Sequence, residues 1–148
     1  MDILSVVLTI FIILELSNVL MLYLKPDTHL GNGMGIFKAY EKSKADPAVH
    51  ALVTYLVNWV AGTKLIFIVL LIVIIITGNS TTRIFTIIAL ILSISTFFFR
   101  LYPVIRRMDD QGSIDPKGYS KTLCIMIAGF IVVFTIALII YLINSHSL

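Results

Sequence analysis

Long apolar runs alternate with short polar segments along the 148 residues of the chain. The runs cover residues 3–24, 51–77, 84–105 and 122–143, and each approaches or exceeds the ~20 residues that a helix needs to cross about 30 Å of hydrocarbon. Their apolar residues are continuous, which argues against the alternating strands of a membrane barrel. Helices also satisfy their own backbone hydrogen bonds in lipid. The pattern predicts an all-α protein, an integral membrane four-helix bundle.

Composition leads to the same class of protein. Hydrophobic residues make up 59% of the chain and charged residues 13%, whereas an ordinary soluble domain has about 45–50% and about 25%. The mean hydropathy is +1.03. Residues 1–148 are therefore predicted to form a single transmembrane domain. The first run lacks a basic start and a small-residue cleavage site, so we expect it to stay as a helix and not to be a signal peptide.

Basic residues in the connections predict how the spans are oriented. Residues 25–50 carry four lysines and residues 106–121 carry two lysines and two arginines, whereas residues 78–83 carry only Arg83. Because Lys and Arg are enriched in cytoplasmic connections, we expect the two longer connections in the cytoplasm, both termini outside, and a multi-pass protein of the cell membrane. The net charge of +3 then reflects topology, and it gives no reason to expect nucleic acid as a partner.

The first connection contains the stretch "IFKAYEKSK", residues 36–44, which fits a short amphipathic helix. Ile36, Phe37 and Tyr40 form its apolar side, and three lysines supply its charge. We expect this segment to lie in the cytoplasmic headgroup layer and to attract anionic lipid headgroups.

Few polar side chains interrupt the spans, and the most informative ones fall in the predicted cytoplasmic half: Glu15, Asn18, Asn58, Lys64 and Arg100. Charges inside a bilayer are costly, so they are normally paired or face a wet cavity. Side chains lean toward the N-terminus of their helix, which points Arg100 toward the membrane centre and Lys64 toward the cytoplasm. We therefore expect Glu15, the only acid within a span, to pair with Arg100, with Lys64 as the competing partner.

Two further sets of residues surround this polar cluster. Small residues on one face of the third span let helices pack closely and predict a helix-packing stripe: Thr86, Ala89, Ser93 and Thr96. Asn18 and Asn58 lie at matching depths, so we expect both to join Glu15 and Arg100 in one hydrated cavity open to the cytoplasm. Its predicted rim is Tyr55 or Trp59.

The spacing of reactive side chains predicts neither a metal site nor a cofactor. His29 and His50 are isolated, without the spacing of known zinc sites, and Cys124 is the only cysteine. No nucleophile with a neighbouring base can be recognised, so catalytic residues stay unknown.

An acid in the middle of the first of four spans, within "LELSN", resembles the pattern of small multidrug-resistance exporters, which use such a Glu for protons and cationic substrates. The resemblance covers those five residues, and this chain is longer and also carries Lys64 and Arg100, so no role is carried over. We expect transport or export of a small solute, as an oligomer or with a membrane partner, with Glu15 as the responding acid. A membrane enzyme acting on a lipid or amphipathic substrate, and an accessory subunit without its own chemistry, remain alternatives.

Overall fold

The computed structural model describes residues 2–146, and only the backbone of His146. Its helices, in chain order, are α1 (Ile3–Leu24), α2 (Lys38–Ser43), α3 (Pro47–Thr77), α4 (Ser80–Arg100), α5 (Tyr102–Asp110) and α6 (Tyr119–His146), with a 3-10 turn over Met34–Ile36. Four segments are long and apolar enough to cross a membrane: α1, α3, α4 together with α5, and α6. The prediction of an all-α protein with four apolar spans is confirmed.

Polar caps set helix ends that the apolar pattern could not locate. α3 begins at Pro47, four residues before the predicted span, because the Asp46 carboxylate accepts hydrogen bonds from the backbone N–H of Ala48 and Val49 at 2.9 and 3.2 Å. In the same way Asn79 accepts from the N–H of Thr82 at 2.9 Å and starts α4. Such capping side chains satisfy N–H groups that have no partner within the helix.

The third span continues as α5 beyond its predicted end at residue 105. Leu101 separates α4 from α5, and its backbone is close to helical. Pro103 has no N–H to donate to the carbonyl one turn earlier, which accounts for the break. The two helices together form one apolar segment from Ser80 to Asp110.

The four spans form a ring with one loose side. α1 packs most extensively against α3, and α6 packs against both α1 and α4. α3 and α4 follow each other directly in the chain but contact each other only slightly. The Phe11 ring marks the centre of the core, lying edge-on to Phe130 and Phe134 with both ring centroids at 5.3 Å. The loose side leaves room for a cleft between α3 and α4.

We call the end of the bundle formed by residues 25–46 and 111–118 the basic end, and the opposite end, with Asp2 and residues 78–79, the terminal end. At the basic end the two connections pair with each other: the N–H of Lys38 donates to the carbonyl of Ser113 at 3.0 Å, and the N–H of Asp115 donates to that of Ile36 at 2.9 Å. Beneath them Ile36 packs in an apolar cluster with residues of α5 and α6.

The amphipathic segment of the first connection packs on the bundle, and its expected place in the headgroup layer stays a prediction. Ile36 is fully buried and Tyr40 is 5% exposed, so its apolar side faces the protein and not lipid. Lys44 holds the segment in place through its Nζ, 2.7 Å from Asp27 and 2.9 Å from Glu41. The hydrogen bond from Lys44 lowers the pKa of Asp27 and raises the pKa of Lys44 itself.

Asp109, at the end of α5, fixes the start of α6. Its carboxylate is buried and accepts hydrogen bonds from the N–H of Gly118, the N–H of Ser120 and the hydroxyl of Ser120 at 2.9, 2.9 and 2.6 Å. The same contact closes the connection between the two helices.

At the terminal end three helices meet at Arg83. Its Nη1 donates to Asp2 at 2.6 Å, and its Nη2 donates to the carbonyl of Ile75 at 3.2 Å. Asp2 also caps α1 by accepting from the N–H of Ser5 at 2.8 Å. Burial would raise the pKa of Asp2, but the hydrogen bonds from Ser5 and Arg83 outweigh it and lower the pKa. Both ends of the bundle are thus held by polar contacts.

We expect Asp109→Asn to destabilise the protein, because an amide would turn a donor toward N–H groups that now meet a carboxylate. A loss of roughly 1.5–3 kcal/mol in the free energy of unfolding is expected for hydrogen bonds to a charged group. Asp110→Asn is the matched control, since Asp110 is exposed and such changes usually stay within about 0.5 kcal/mol. Unfolding of both variants in detergent tests this, and equal stabilities would contradict the role of Asp109.

Candidate functional site

A cavity of about 530 Å³ lies in the half of the bundle next to the basic end. Side chains from α1, α3, α4, α5 and α6 line it, and Met34 and Phe37 of the first connection close it from the basic end. Its volume falls within the ~300–1,000 Å³ typical of small-molecule sites. We call this space the apolar cavity.

Most of the cavity wall is hydrocarbon. Three phenylalanine rings and three methionines take part, namely Phe37, Phe97, Phe130, Met34, Met108 and Met126. Methionine side chains are flexible and polarizable, so they can repack around ligands of different shape. The wall is therefore suited to a hydrocarbon chain or a ring system.

An ion pair forms the deep end of the apolar cavity. The Nζ of Lys64 lies 2.7 Å from Oε2 of Glu15, and the two side chains are 28% and 15% exposed. Glu15 is nine residues before the end of α1, or roughly 14 Å along the helix. α1 and α3 run antiparallel, so their side chains lean in opposite axial directions and can meet from different depths. The contact joins the two helices that pack most extensively.

The expectation that Glu15 pairs with Arg100 is wrong. Arg100 is the last residue of α4, is exposed, and does not line the apolar cavity. Among the described residues, no carboxylate lies within ion-pair distance of it. The order of the helices explains the choice of partner, because α1 packs far more extensively against α3, which carries Lys64, than against α4, which carries Arg100.

Asn18 and Asn58 do not join Glu15 in one cavity. Asn18 lines a cleft at the basic end, beside His29 and Lys117. Asn58 lines a cleft of about 140 Å³ with Tyr23 and Tyr40. Asn58 and Lys64 are six positions apart in the chain, which places them about 120° apart around α3. The two side chains therefore point to different sides of that helix. Matching depth was not enough to bring them together.

The predicted rim also lies elsewhere. Tyr55 and Trp59 are both 61% exposed, and their rings contact each other at 6.2 Å between centroids. Neither lines the apolar cavity.

The predicted stripe of α4 lines a groove and does not form a closely packed interface. Thr86, Ala89 and Ser93 face α3 across a groove of about 490 Å³ in the terminal half, and Glu15 and Lys64 lie at its end. Thr96 instead donates to the carbonyl of Ser93 at 2.6 Å. We call this space the terminal groove. The Glu15–Lys64 pair is thus the shared boundary of the apolar cavity and the terminal groove.

Tyr119, at the start of α6, is a site residue that the sequence did not reveal. Its hydroxyl lies 3.2 Å from the carbonyl oxygen of Gly31 and 3.3 Å from Oδ1 of Asn32. Gly31 has φ of 56°, a conformation that favours glycine. These partners lie 88 and 87 positions away in the chain, so no local pattern indicates the contact. Phe37, by contrast, belongs to the apolar side that the sequence predicted for residues 36–44.

The apolar cavity offers chemistry for binding. Within residues 2–146, no group of three or more His, Cys, Asp or Glu side chains is placed to hold a metal ion. The carboxylate and the ammonium at its deep end form a charge-assisted hydrogen bond. A ligand that brings its own charge could replace either partner in that bond.

Comparisons with protein families, curated proteins and solved structures found no match.

We expect Glu15→Gln and Lys64→Met to be coupled in their effect on stability. Each change alone should lower the free energy of unfolding by roughly 2–3 kcal/mol, less than for a fully buried pair, because the remaining charge loses its partner but keeps some exposure. The double variant should lose about 1–2 kcal/mol less than the sum of the two. Arg100→Gln with Glu15→Gln is the matched control and should be additive. Thermal unfolding in detergent measures all of these, and additivity for Glu15 with Lys64 would rule out the pair as a stabilising contact.

Proposed function

We propose that this protein is a carrier that moves a small amphipathic solute through the membrane. The apolar cavity would hold the hydrocarbon part of the solute, and the Glu15–Lys64 pair would receive its polar group. The observation that supports this most directly is the combination of a hydrocarbon wall with one ion pair at its deep end. A mostly apolar pocket with few polar groups is the usual form of a small-molecule site.

The position of the ion pair supports transport. Glu15 and Lys64 border both the apolar cavity and the terminal groove. A solute group that replaces one partner would part the two side chains and join the two spaces. On the loose side of the bundle α3 and α4 contact each other only slightly, so a small separation of these two helices would widen the passage. A single copy leaves this side open to lipid, which favours an oligomer as the working form.

We further propose that the basic end faces the cytoplasm and that both termini lie outside the cell membrane. Eight of the nine Lys and Arg residues in the predicted connections belong to the two connections that form that end, residues 25–50 and 106–121. Basic residues near the ends of spans favour the cytoplasmic side.

One observation favours a second function, an accessory subunit of a membrane complex. Glu15 and Lys64 satisfy each other, and Asp109 and Arg83 hold the two ends of the bundle. Such contacts would also suit a protein whose charges only fix helix register. The accessory function requires no use of the apolar cavity, so filling the cavity separates the two proposals.

We expect Val60→Trp to abolish transport by filling the apolar cavity. Purified protein would be reconstituted in liposomes, and transfer of single-chain amphiphiles carrying an NBD fluorophore would be followed by quenching with dithionite. Val60 lines the cavity and is 50% exposed, so a larger side chain can enter without disrupting the core. Val69→Trp is the matched control, because Val69 lies on the same helix, is 51% exposed and does not line the cavity.

The rate with Val60→Trp should fall to that of protein-free liposomes, while Val69→Trp should keep the rate of the unchanged protein. Equal rates for all three proteins would contradict transport through the cavity. Transfer no faster than in protein-free liposomes, for every probe, would favour the accessory subunit.

The orientation is tested by cysteine labelling in intact cells. Ser80 and Lys42 are both exposed and lie at opposite ends of the bundle. In a Cys124→Ala background, an impermeant maleimide added outside should therefore label Ser80→Cys but not Lys42→Cys. Permeabilised cells should show labelling at both, as a control. Labelling of position 42 alone in intact cells would reverse the proposed orientation.

A further inference from the structure

A second, more polar cleft lies beside the apolar cavity at the basic end. It has a volume of about 280 Å³ and is formed by α1, the first connection, the connection before α6 and the start of α6. Its polar side chains include two amides, an imidazole, an ammonium and a hydroxyl, from Asn18, Asn32, His29, Lys117 and Thr122. We call this space the polar cleft.

The polar cleft and the apolar cavity share part of their walls. Tyr119, Leu123 and Met126 of α6 line both, as does Asn32 of the first connection. The Tyr119 hydroxyl holds the first connection against α6 through Gly31 and Asn32. These side chains form a common wall of the two spaces, so the two spaces adjoin and one amphipathic molecule can use both.

The charge of the polar cleft favours an anion. Among its lining residues no carboxylate is present, while the ammonium of Lys117 and the amides of Asn18 and Asn32 supply hydrogen-bond donors. Lys117 forms no ion pair among the described residues. The nearby carboxylate of Asp109 is already engaged by Gly118 and Ser120.

The charge of the surface around the cleft also favours an anion. Exposed basic side chains cluster at this end of the bundle: Lys25, Lys38, Lys42, Arg106, Arg107 and Lys121. A positive surface concentrates anionic molecules next to it. An anionic headgroup at the membrane boundary would therefore meet the polar cleft before it met the deeper ion pair.

We propose that the polar cleft binds the headgroup of the transported solute and that the solute is an anionic amphiphile, with a phosphate or carboxylate on a hydrocarbon chain that enters the apolar cavity. This inference rests on the proposed carrier function. Lys117 receives the anion first, and Lys64 offers the same group a second cation deeper in the bundle. A lipid headgroup and a free phosphate share this chemistry, and adding inorganic phosphate alone distinguishes the two.

The experiment compares three NBD probes of equal chain length in the liposome assay, with phosphate, phosphocholine and trimethylammonium heads. The phosphate-headed probe should be transferred about tenfold faster than the phosphocholine-headed one, as expected for one additional charge-assisted contact. Lys117→Gln should lower this ratio to about one. Lys121→Gln is the matched control and should keep the ratio, because Lys121 is exposed at the same end but does not line the cleft.

Equal transfer of the three probes by the unchanged protein would overturn the headgroup proposal and leave the carrier function standing. If the unchanged protein transferred none of the three probes, the carrier function would be overturned instead. A binding measurement would then test the polar cleft by itself. Dodecyl phosphate should raise the thermal unfolding midpoint of the unchanged protein but not of Lys117→Gln. Inorganic phosphate should have no such effect, and an equal effect would identify a site for a free anion and overturn the amphiphile.

Discussion

The contact between Glu15 and Lys64 places two charges in the hydrocarbon region, where neither could remain alone without a large cost. Their 2.7 Å separation requires α1 and α3 to lie side by side in one register, because a shift of one residue moves a side chain about 1.5 Å along the helix and about 100° around it. In the ring of helices α1 lies between α3 and α6. α4 then packs on α6 and stays apart from α3. The cleft on that side follows from this order of helices.

Polar contacts keep this open arrangement from collapsing. Lipid tails are as apolar as the side chains, so no hydrophobic force drives helices together inside the bilayer. Asp109 and the paired connections hold the basic end, and Arg83 with Asp2 holds the terminal end. Between them the walls are hydrocarbon, which lipid or a ligand can cover. A cavity of this size is therefore compatible with a stable fold, since the polar side chains that line it have hydrogen-bond partners: Lys64 with Glu15, and Tyr119 with Asn32.

The sequence predicted the spans well because their signal is one-dimensional: a continuous apolar run needs no knowledge of its neighbours. Glu15 and Lys64 were also placed in the same half of the bundle by counting residues. The choice between Lys64 and Arg100 could not be made in this way, because it depends on which helices adjoin and which faces meet. The prediction for Asn58 was wrong for the same reason, because Asn58 lies at the expected depth but on another side of α3. Tyr119 depends on a contact across 88 positions, which no periodicity contains.

The Glu15–Lys64 pair also imposes a charge balance on any carrier built around it. When an anionic group binds Lys64 in place of Glu15, the displaced carboxylate adds a second negative charge to a region of low dielectric constant, where repulsion is strong. A solute with one negative charge would thus leave one unbalanced negative charge, whereas a cationic solute would replace Lys64 and leave the opposite one. The side chain of Lys64 leans toward the basic end and that of Glu15 toward the terminal end. The two side chains would therefore part along the line that joins the apolar cavity and the terminal groove, and the charge of the solute would decide which of them it displaces.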